Sequence, residues 1–223
     1  RGASGGHANG DTFGEVESIL GSSFKDSLTG NGSANRIEGG DGSDDINPLA
    51  GSDTVIGGNG IDSVYYLASP TAVTINLTSG TGSGGHAQGD TLSGIEFVHG
   101  SGMGDSITGN SANNGFYGWS GHDTFAGFGG NDTYIGGAGN DIFMLFDVGG
   151  EDLIADFQGV GAAVGDRISL SSFSLGTYAA VQARMTNLSD NSGVKIQIDT
   201  NDVLFIRGTG VTTATMTADD FIL

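Results

Sequence analysis

GSGMGDSIT, GNSANNGFY, GWSGHDTFA, GFGGNDTYI and GGAGNDIFM follow one another without a break over residues 100–144, five versions of one nine-residue unit. The same phase runs through GSSFKDSLT, GNGSANRIE, GGDGSDDIN, PLAGSDTVI and GGNGIDSVY over residues 21–65. Position six is Asp in eight of the ten units (Asp26, Asp44, Asp53, Asp62, Asp105, Asp123, Asp132, Asp141) and Asn in two, Asn35 and Asn114. Position eight is apolar or aromatic in all ten: Leu28, Ile37, Ile46, Val55, Val64, Ile107, Phe116, Phe125, Tyr134 and Phe143. Six turn formers followed by a triplet with an apolar centre describe a short strand whose middle side chain points inward. Such a strand can bury that side chain only by stacking on others. With turns alternating between two sides of a flattened coil, units n and n+2 share a side, and their strands lie about 4.8 Å apart. Position-six carboxylates then form columns, in which like charges raise each other's pKa unless a cation lies between them.

Glycine tolerates positive φ, so a G-G-x-G turn can aim carbonyl oxygens at one point. Carbonyls and carboxylates together make the hard oxygen shell that suits Ca²⁺, and suit Mg²⁺ less well because it keeps its waters and demands a strict octahedron. GGDGSD at residues 39–44, GGNGID at 57–62 and GGAGND at 136–141 resemble the RTX (repeats-in-toxin) nonapeptide GGxGxDxUx. The resemblance implies an ion held by the carbonyls of positions two and four and the carboxylate of position six of unit n. Unit n+2 adds the carbonyls of positions one and three and its own position-six carboxylate. The fullest matches are Gly40, Gly42 and Asp44 with Gly57, Asn59 and Asp62, and Trp119, Gly121 and Asp123 with Gly136, Ala138 and Asp141; Gly39, Asp41, Gly118 and Ser120 belong to the same turns. Asn110, Ala112 and Asn114 with Gly127, Gly129 and Asp132 offer one carboxylate. Asn31, Ser33 and Asn35 with Pro48, Ala50 and Asp53 also lack three glycines and should be weak or empty. Asp26 with Asp44, and Asp105 with Asp123, are intermediate, since Phe24 and Met103 stand where the turn wants Gly.

A longer repeat frames the blocks: SGGHANGDTFGEVES at residues 4–18 returns as SGGHAQGDTLSGIEF at residues 83–97. Asp11, Glu17, Asp90 and Glu96 in these entry segments are candidates for an extra Ca²⁺. His7 and His86 precede Asp11 and Asp90 by four residues, but in glycine-rich loops that spacing does not make one helical face. Trp119, at a turn position, should be exposed.

Composition agrees. Of 223 residues 43 are Gly and 2 Pro, with a formal charge of −19, which argues against nucleic-acid binding and against collagen. Cys is absent, so disulfides and Cys-ligated zinc are excluded. No apolar run is long enough for a membrane span. The start at Arg1 shows no signal-peptide pattern, as for a fragment or a protein exported without an N-terminal signal. No nucleophile elbow, zinc helix or Walker loop is present.

The expected organisation is an entry segment (1–20), a first roll block (21–65), a connecting strand and second entry segment (66–99), a second block (100–144) and a cap (145–223). PTAVTINLTSG at residues 70–80 reads as a strand followed by a loop, and residues 152–157, 165–173, 194–200 and 202–207 read as longer strands. The tail resembles the cap that follows RTX repeats in serralysin-type proteases, where the C-terminal region carries a type I secretion signal. The sequence thus predicts an all-β protein: a parallel β-roll, or right-handed β-helix solenoid, with a β-rich C-terminal cap. It should bind four to six Ca²⁺ ions and fold on binding them after type I secretion. Its expected place is extracellular or at the cell surface, its role structural or adhesive, with no catalysis in this chain. The alternatives are the non-catalytic tail of a secreted metalloprotease, lipase, or polysaccharide lyase or epimerase, and a carbohydrate-binding surface. Expected partners are calcium ions, cell-surface polysaccharide or further copies of the chain, and the type I secretion machinery, with neither nucleic acid nor a membrane span.

Overall fold

The structure, a computed structural model, describes residues 16–146, 148–161 and 164–223. Two long sheets face each other across a thin core. In one, strands Ser18–Leu20, Arg36–Gly42, Thr54–Gly60 and Thr91–Ser93 stack in order; after a hairpin come Ser106–Thr108, Thr124–Ala126, Ile142–Met144, Arg167–Ser169 and Phe221–Ile222. In the other, Ser27–Thr29, Asp45–Asn47, Ser63–Tyr65, Phe97–His99, Gly115–Tyr117, Thr133–Ile135 and Gly150–Ile154 run without a break. Repeat strands pair in parallel with a register of 18 residues, as in Ile37 with Val55, Leu28 with Ile46 and Phe125 with Phe143.

The nine-residue period sets this arrangement because position eight has nowhere else to go. Nine of the ten position-eight side chains are buried, and Leu28, on the edge strand, is partly so. Phe125 lies at the centre of the second block's core, with ring centroids 6.2 Å from Phe116, 6.2 Å from Tyr134 and 5.5 Å from Phe143.

Two features differ from the sequence reading. Residues 70–80 form a strand, Thr74–Asn76, and a loop, 77–80, as read, but the loop leads into a further strand, Thr81–Ser83, and the two make an antiparallel hairpin inserted in the first sheet only. Alternation marks the first strand of that hairpin, whereas the second, TGS, carries no apolar signal. Beyond residue 150 a short helix, Tyr178–Gln182, precedes the antiparallel strands Met185–Asn187, Gly193–Gln197 and Asp202–Arg207. Its N-cap Thr177 accepts the Ala180 N–H, and only Val181 faces the core, so five residues offered too little periodicity to be read. Among the described residues no helix is long and apolar enough to cross a membrane.

Candidate metal centres

Each strand triplet carries its position-six residue to the rim of the roll, where two columns form. Along the second sheet the column runs Asp26, Asp44, Asp62, Glu96, Asn114, Asp132, Asp152; along the first it runs Asn35, Asp53, Asp90 and, past the hairpin, Asp105, Asp123, Asp141, Asp166. At the acidic members the linkage repeats: one carboxylate oxygen accepts the backbone N–H of the residue one coil earlier, whereas the Asn35 and Asn114 amide oxygens accept an N–H of their own units. Asp62 accepts from Asp44 at 2.8 Å, Asp123 from Asp105 at 2.6 Å and Asp141 from Asp123 at 2.9 Å.

The second oxygen decides the chemistry. In Asp44, Asp53, Asp62, Asp123 and Asp141 it is buried and meets no donor, and these residues are at most 1% exposed. Asp132 differs in lying beside the buried Tyr134 hydroxyl. Burial pushes Asp123 up to about 7, the charges of Asp141 and Asp105 adding to it while the Asp105 N–H pulls down. Burial likewise raises Asp53, Asp62 and Asp141, each tempered by the N–H it accepts. The ion pairs among the described residues, Lys25–Asp45, Arg36–Glu38 and Arg207–Asp190, lie on the surface and involve no column residue. The columns thus have no described internal cation.

The turns fall into two classes. In the first two units of each block the turn closes on itself. The N–H of Ser22, Asn31, Ser101 or Asn110 donates to the position-six side chain of its own unit, and the position-two side chain accepts the N–H two residues on. In the other six units positions two and four take positive φ: Gly40 and Gly42, Leu49 and Gly51, Gly58 and Gly60, Trp119 and Gly121, Phe128 and Gly130, Gly137 and Gly139. No such N–H reaches the carboxylate, and the carbonyls point along the stack. Gly60 shows how tightly: a Cβ there would stand 1.5 Å from the Gly42 oxygen. At position one of the same stack, a Cβ on Gly39 would fall 2.2 Å from Asp44 Oδ2 and 2.4 Å from the Gly57 oxygen. A donor-free carboxylate oxygen surrounded by carbonyls fits a hard oxygen-loving cation, and Ca²⁺ fits it best. Among the described residues no three His, Cys, Asp or Glu side chains cluster, which leaves main-chain carbonyls to supply most of any shell.

Gly39, Gly40, Asp41, Gly42 and Asp44 lie against Gly57, Asn59 and Asp62, the two turns pairing as strand extensions, with Asn59 Nδ2 donating to Asp41 Oδ1 at 2.8 Å. Gly118, Trp119, Ser120, Gly121 and Asp123 lie against Gly136, Ala138 and Asp141; the Ala138 N–H donates to the Trp119 oxygen and the Gly121 N–H to the Ala138 oxygen, leaving each carbonyl a second lone pair. Trp119 is exposed. Gly127, Gly129 and Asp132 sit over Asn110, Ala112 and Asn114, but that lower turn is self-closed. Asn31, Ser33 and Asn35, under Pro48, Ala50 and Asp53, are self-closed too, and Asn35 also donates to the Val16 oxygen. Asp26 and Asp105 give an oxygen each to the Ser22 and Ser101 N–H groups, at 2.6 Å in both cases. His7 and Asp11 lie outside the described residues. The Asp90 oxygens accept from the Asp53 N–H and the Tyr66 hydroxyl, while the His86 N–H donates to Ser69 Oγ.

Asp152 and Asp166 were not anticipated as column members. A signal for them exists: Asp152-Leu-Ile154 and Asp166-Arg-Ile168 keep the acidic-x-apolar half of the nonapeptide, as do Asp90-Thr-Leu92 and Glu96-Phe-Val98.

The RTX calcium-binding nonapeptide repeat family matches this chain in four copies, at residues 20–55, 48–65, 90–125 and 120–143. No curated protein matches. Among solved structures the chain is similar to the extracellular lipase LipA from Serratia marcescens, at 16% identity and a TM-score of 0.24, over 96% of this chain and 41% of the lipase chain. The matched family is a calcium-binding repeat rather than a catalytic domain. The paired columns of the roll and the family match meet on the same residues: the two solenoid blocks of this chain are RTX calcium-binding nonapeptide repeats.

Proposed function

We propose that the chain is an extracellular structural or adhesive module that passes through a type I secretion channel unfolded and folds when Ca²⁺ fills its turns outside. Four to six ions occupy the left-handed turns. The two sites built wholly from repeats are Gly40, Gly42 and Asp44 with Gly57, Asn59 and Asp62, and Trp119, Gly121 and Asp123 with Gly136, Ala138 and Asp141. Residues 145–223 serve as cap and as carrier of the secretion signal.

The observation that carries this reading is the row of buried carboxylate oxygens without donors. Removing a carboxylate from water costs several kcal/mol even after relaxation. No described lysine or arginine forms an ion pair with these carboxylates, so the metal-free roll is disfavoured at neutral pH. Calcium supplies the missing charge and, by binding only the folded turns, shifts the equilibrium by mass action. Far-UV circular dichroism during calcium titration and EGTA chelation tests this. A strand signal that appears with calcium and vanishes with EGTA is expected; a signal indifferent to chelation refutes it.

A row of rings favours a carbohydrate surface as a second reading. His99 is stacked between Tyr65 and Tyr117 at 4.1 and 4.3 Å, with the half-exposed Trp119 at 6.2 Å. Such rings on a flat sheet suit the apolar face of a sugar. Trp119→Ala removes the ring and keeps the main-chain oxygen that serves the calcium site, so it should abolish retention on immobilised polysaccharide while the strand signal still forms with calcium; undiminished retention would discard this reading.

A further inference from the structure

The joint between the two blocks lacks the nonapeptide turn, yet the second column passes through it. Asp62 and Asp53 close the first block, and each keeps a buried oxygen without a donor. The turns below these carboxylates are of the left-handed class, through Gly58 and Gly60 in one and Leu49 and Gly51 in the other. A partner one coil on is what each still lacks from the repeats.

The connecting segment provides it. Glu96 accepts the Asp62 N–H at 2.9 Å, as Asp62 accepts that of Asp44 at 2.8 Å. Asp90 accepts the Asp53 N–H at 2.8 Å, and its other oxygen is fixed by the Tyr66 hydroxyl at 2.9 Å, which leaves that oxygen a lone pair. The carbonyl geometry matches the carboxylates. The Gly94 oxygen would stand 1.8 Å from a Cβ on Gly57, the place that the Gly57 oxygen takes over Gly39 at 2.4 Å. Only residues 94–96 separate strand Thr91–Ser93 from Phe97–His99, against six turn residues in a full unit. The shorter turn still brings Glu96 onto the column, with the Glu96 and Phe97 N–H groups donating to the Asp62 oxygen at 3.1 and 2.9 Å, as the Ser63 N–H donates to that of Asp44 at 2.8 Å.

We infer that Asp90 and Glu96 complete two further calcium sites at the joint, one with Leu49, Gly51 and Asp53 and one with Gly58, Gly60, Asp62 and the Gly94 carbonyl. The inference rests on the proposed calcium-filled turns and extends them to carboxylates outside the repeats. Its consequence is mechanical. Thr91–Ser93 and Phe97–His99 each extend one sheet of the first block towards the second, so ions on Asp90 and Glu96 tie the last coil of one block to the entry of the next.

Bound calcium, counted by native mass spectrometry on the full chain, tests it. Asp90→Asn and Glu96→Gln keep an acceptor for the N–H they serve and lose only charge. Each should bind one ion fewer than the parent, and the double variant two fewer. Asp44→Asn is the reference for the repeat-built sites. If it loses an ion while the joint variants keep the full number, the inference is overturned and the general reading stands; if it loses none either, the general reading fails with it. Should a joint variant not fold, crystals of the parent protein grown in calcium decide. Anomalous peaks at about 2.3–2.6 Å from oxygens of Asp90 and Glu96 support the sites. Peaks at Asp44 and Asp123 with none at the joint overturn them.

Discussion

Phe125→Ala turns the number of linked ions into a measurable slope. The ring is fully buried and packs against Phe116, Tyr134 and Phe143 on both sheets. Truncating such a side chain costs about 3–5 kcal/mol, the lost transfer energy plus the cavity left behind. No ligand to calcium is touched, so the intrinsic affinity of each turn stays the same and only the folding equilibrium moves. If folding and binding are one event, extra calcium must offset the loss, and each linked ion contributes RT ln of the concentration increase. A loss of about 4 kcal/mol shared among four to six ions moves the titration midpoint by roughly three- to fivefold. Carried by a single ion it would move the midpoint by about a thousandfold. The assay is the strand signal by circular dichroism in calcium-buffered solutions, for parent and variant side by side. An unmoved midpoint with a lowered melting temperature would show that the core folds without calcium and would refute the linkage. A shift near a thousandfold would refute the shared, cooperative version of it.

The remaining predictions probe the turns. In metal-free protein burial holds Asp123, Asp152 and Asp166 up to about 7 and Asp90 and Asp132 to about 6, against an ordinary value of 3.8. A raised folded pKa means the folded state binds protons more tightly, so this stabilisation is complete below about pH 4 and is lost as pH rises through 6 to 7. EGTA-treated protein should therefore show more strand signal at pH 5 than at pH 8, and the opposite order would contradict the burial of these groups. Gly60→Ala would set a Cβ 1.5 Å from the Gly42 oxygen at a φ of +137°, whereas Gly32→Ala meets nothing within 4 Å. The first should cost well over the roughly 1–3 kcal/mol of backbone strain alone and raise the calcium midpoint, and the second should leave it in place. Asn114→Asp adds a carboxylate to a turn already closed by the Asn110 N–H and side chain, so the bound calcium count by native mass spectrometry should not rise. A gain of one ion would show that the charge at position six, rather than the turn conformation, selects the occupied sites.

The roll was legible because its period is built from two constraints that the sequence states openly. Position eight must be apolar to fill a core one side chain thick, and position six must be Asp to bond the N–H one coil earlier or Asn to close its own turn. Registers such as Ile37 with Val55 result from the 18-residue coil alone. The two turn classes were less legible. Leu49, Trp119 and Phe128 adopt the left-handed conformation without being glycine, while Ser22 and Ser101 avoid it by capping their own turns. What separates the classes is whether position two has a side chain that accepts the N–H two residues on, together with a free N–H for position six. Ser and Asn satisfy that demand and Gly, Leu, Trp and Phe do not, so the distinction lies in one side chain rather than in the glycine count.

The column members at the start of the cap, Asp152 and Asp166, were missed for the opposite reason. Reading a nonapeptide weights its glycine-rich half, because that half is the more conspicuous. The strand half is needed at every coil, since each must bury an apolar side chain and receive one N–H bond at the rim. The turn half is needed only where carbonyls must be aimed. Asp90-Thr-Leu92, Glu96-Phe-Val98, Asp152-Leu-Ile154 and Asp166-Arg-Ile168 keep the first half and drop the second, and each still stacks in register on the coil before it. Loss of the glycines therefore marks a change in how a turn is made. The solenoid itself ends only where an acidic residue two before an inward apolar one no longer recurs, and in this chain the two sheets continue past the last glycine-rich unit into the cap.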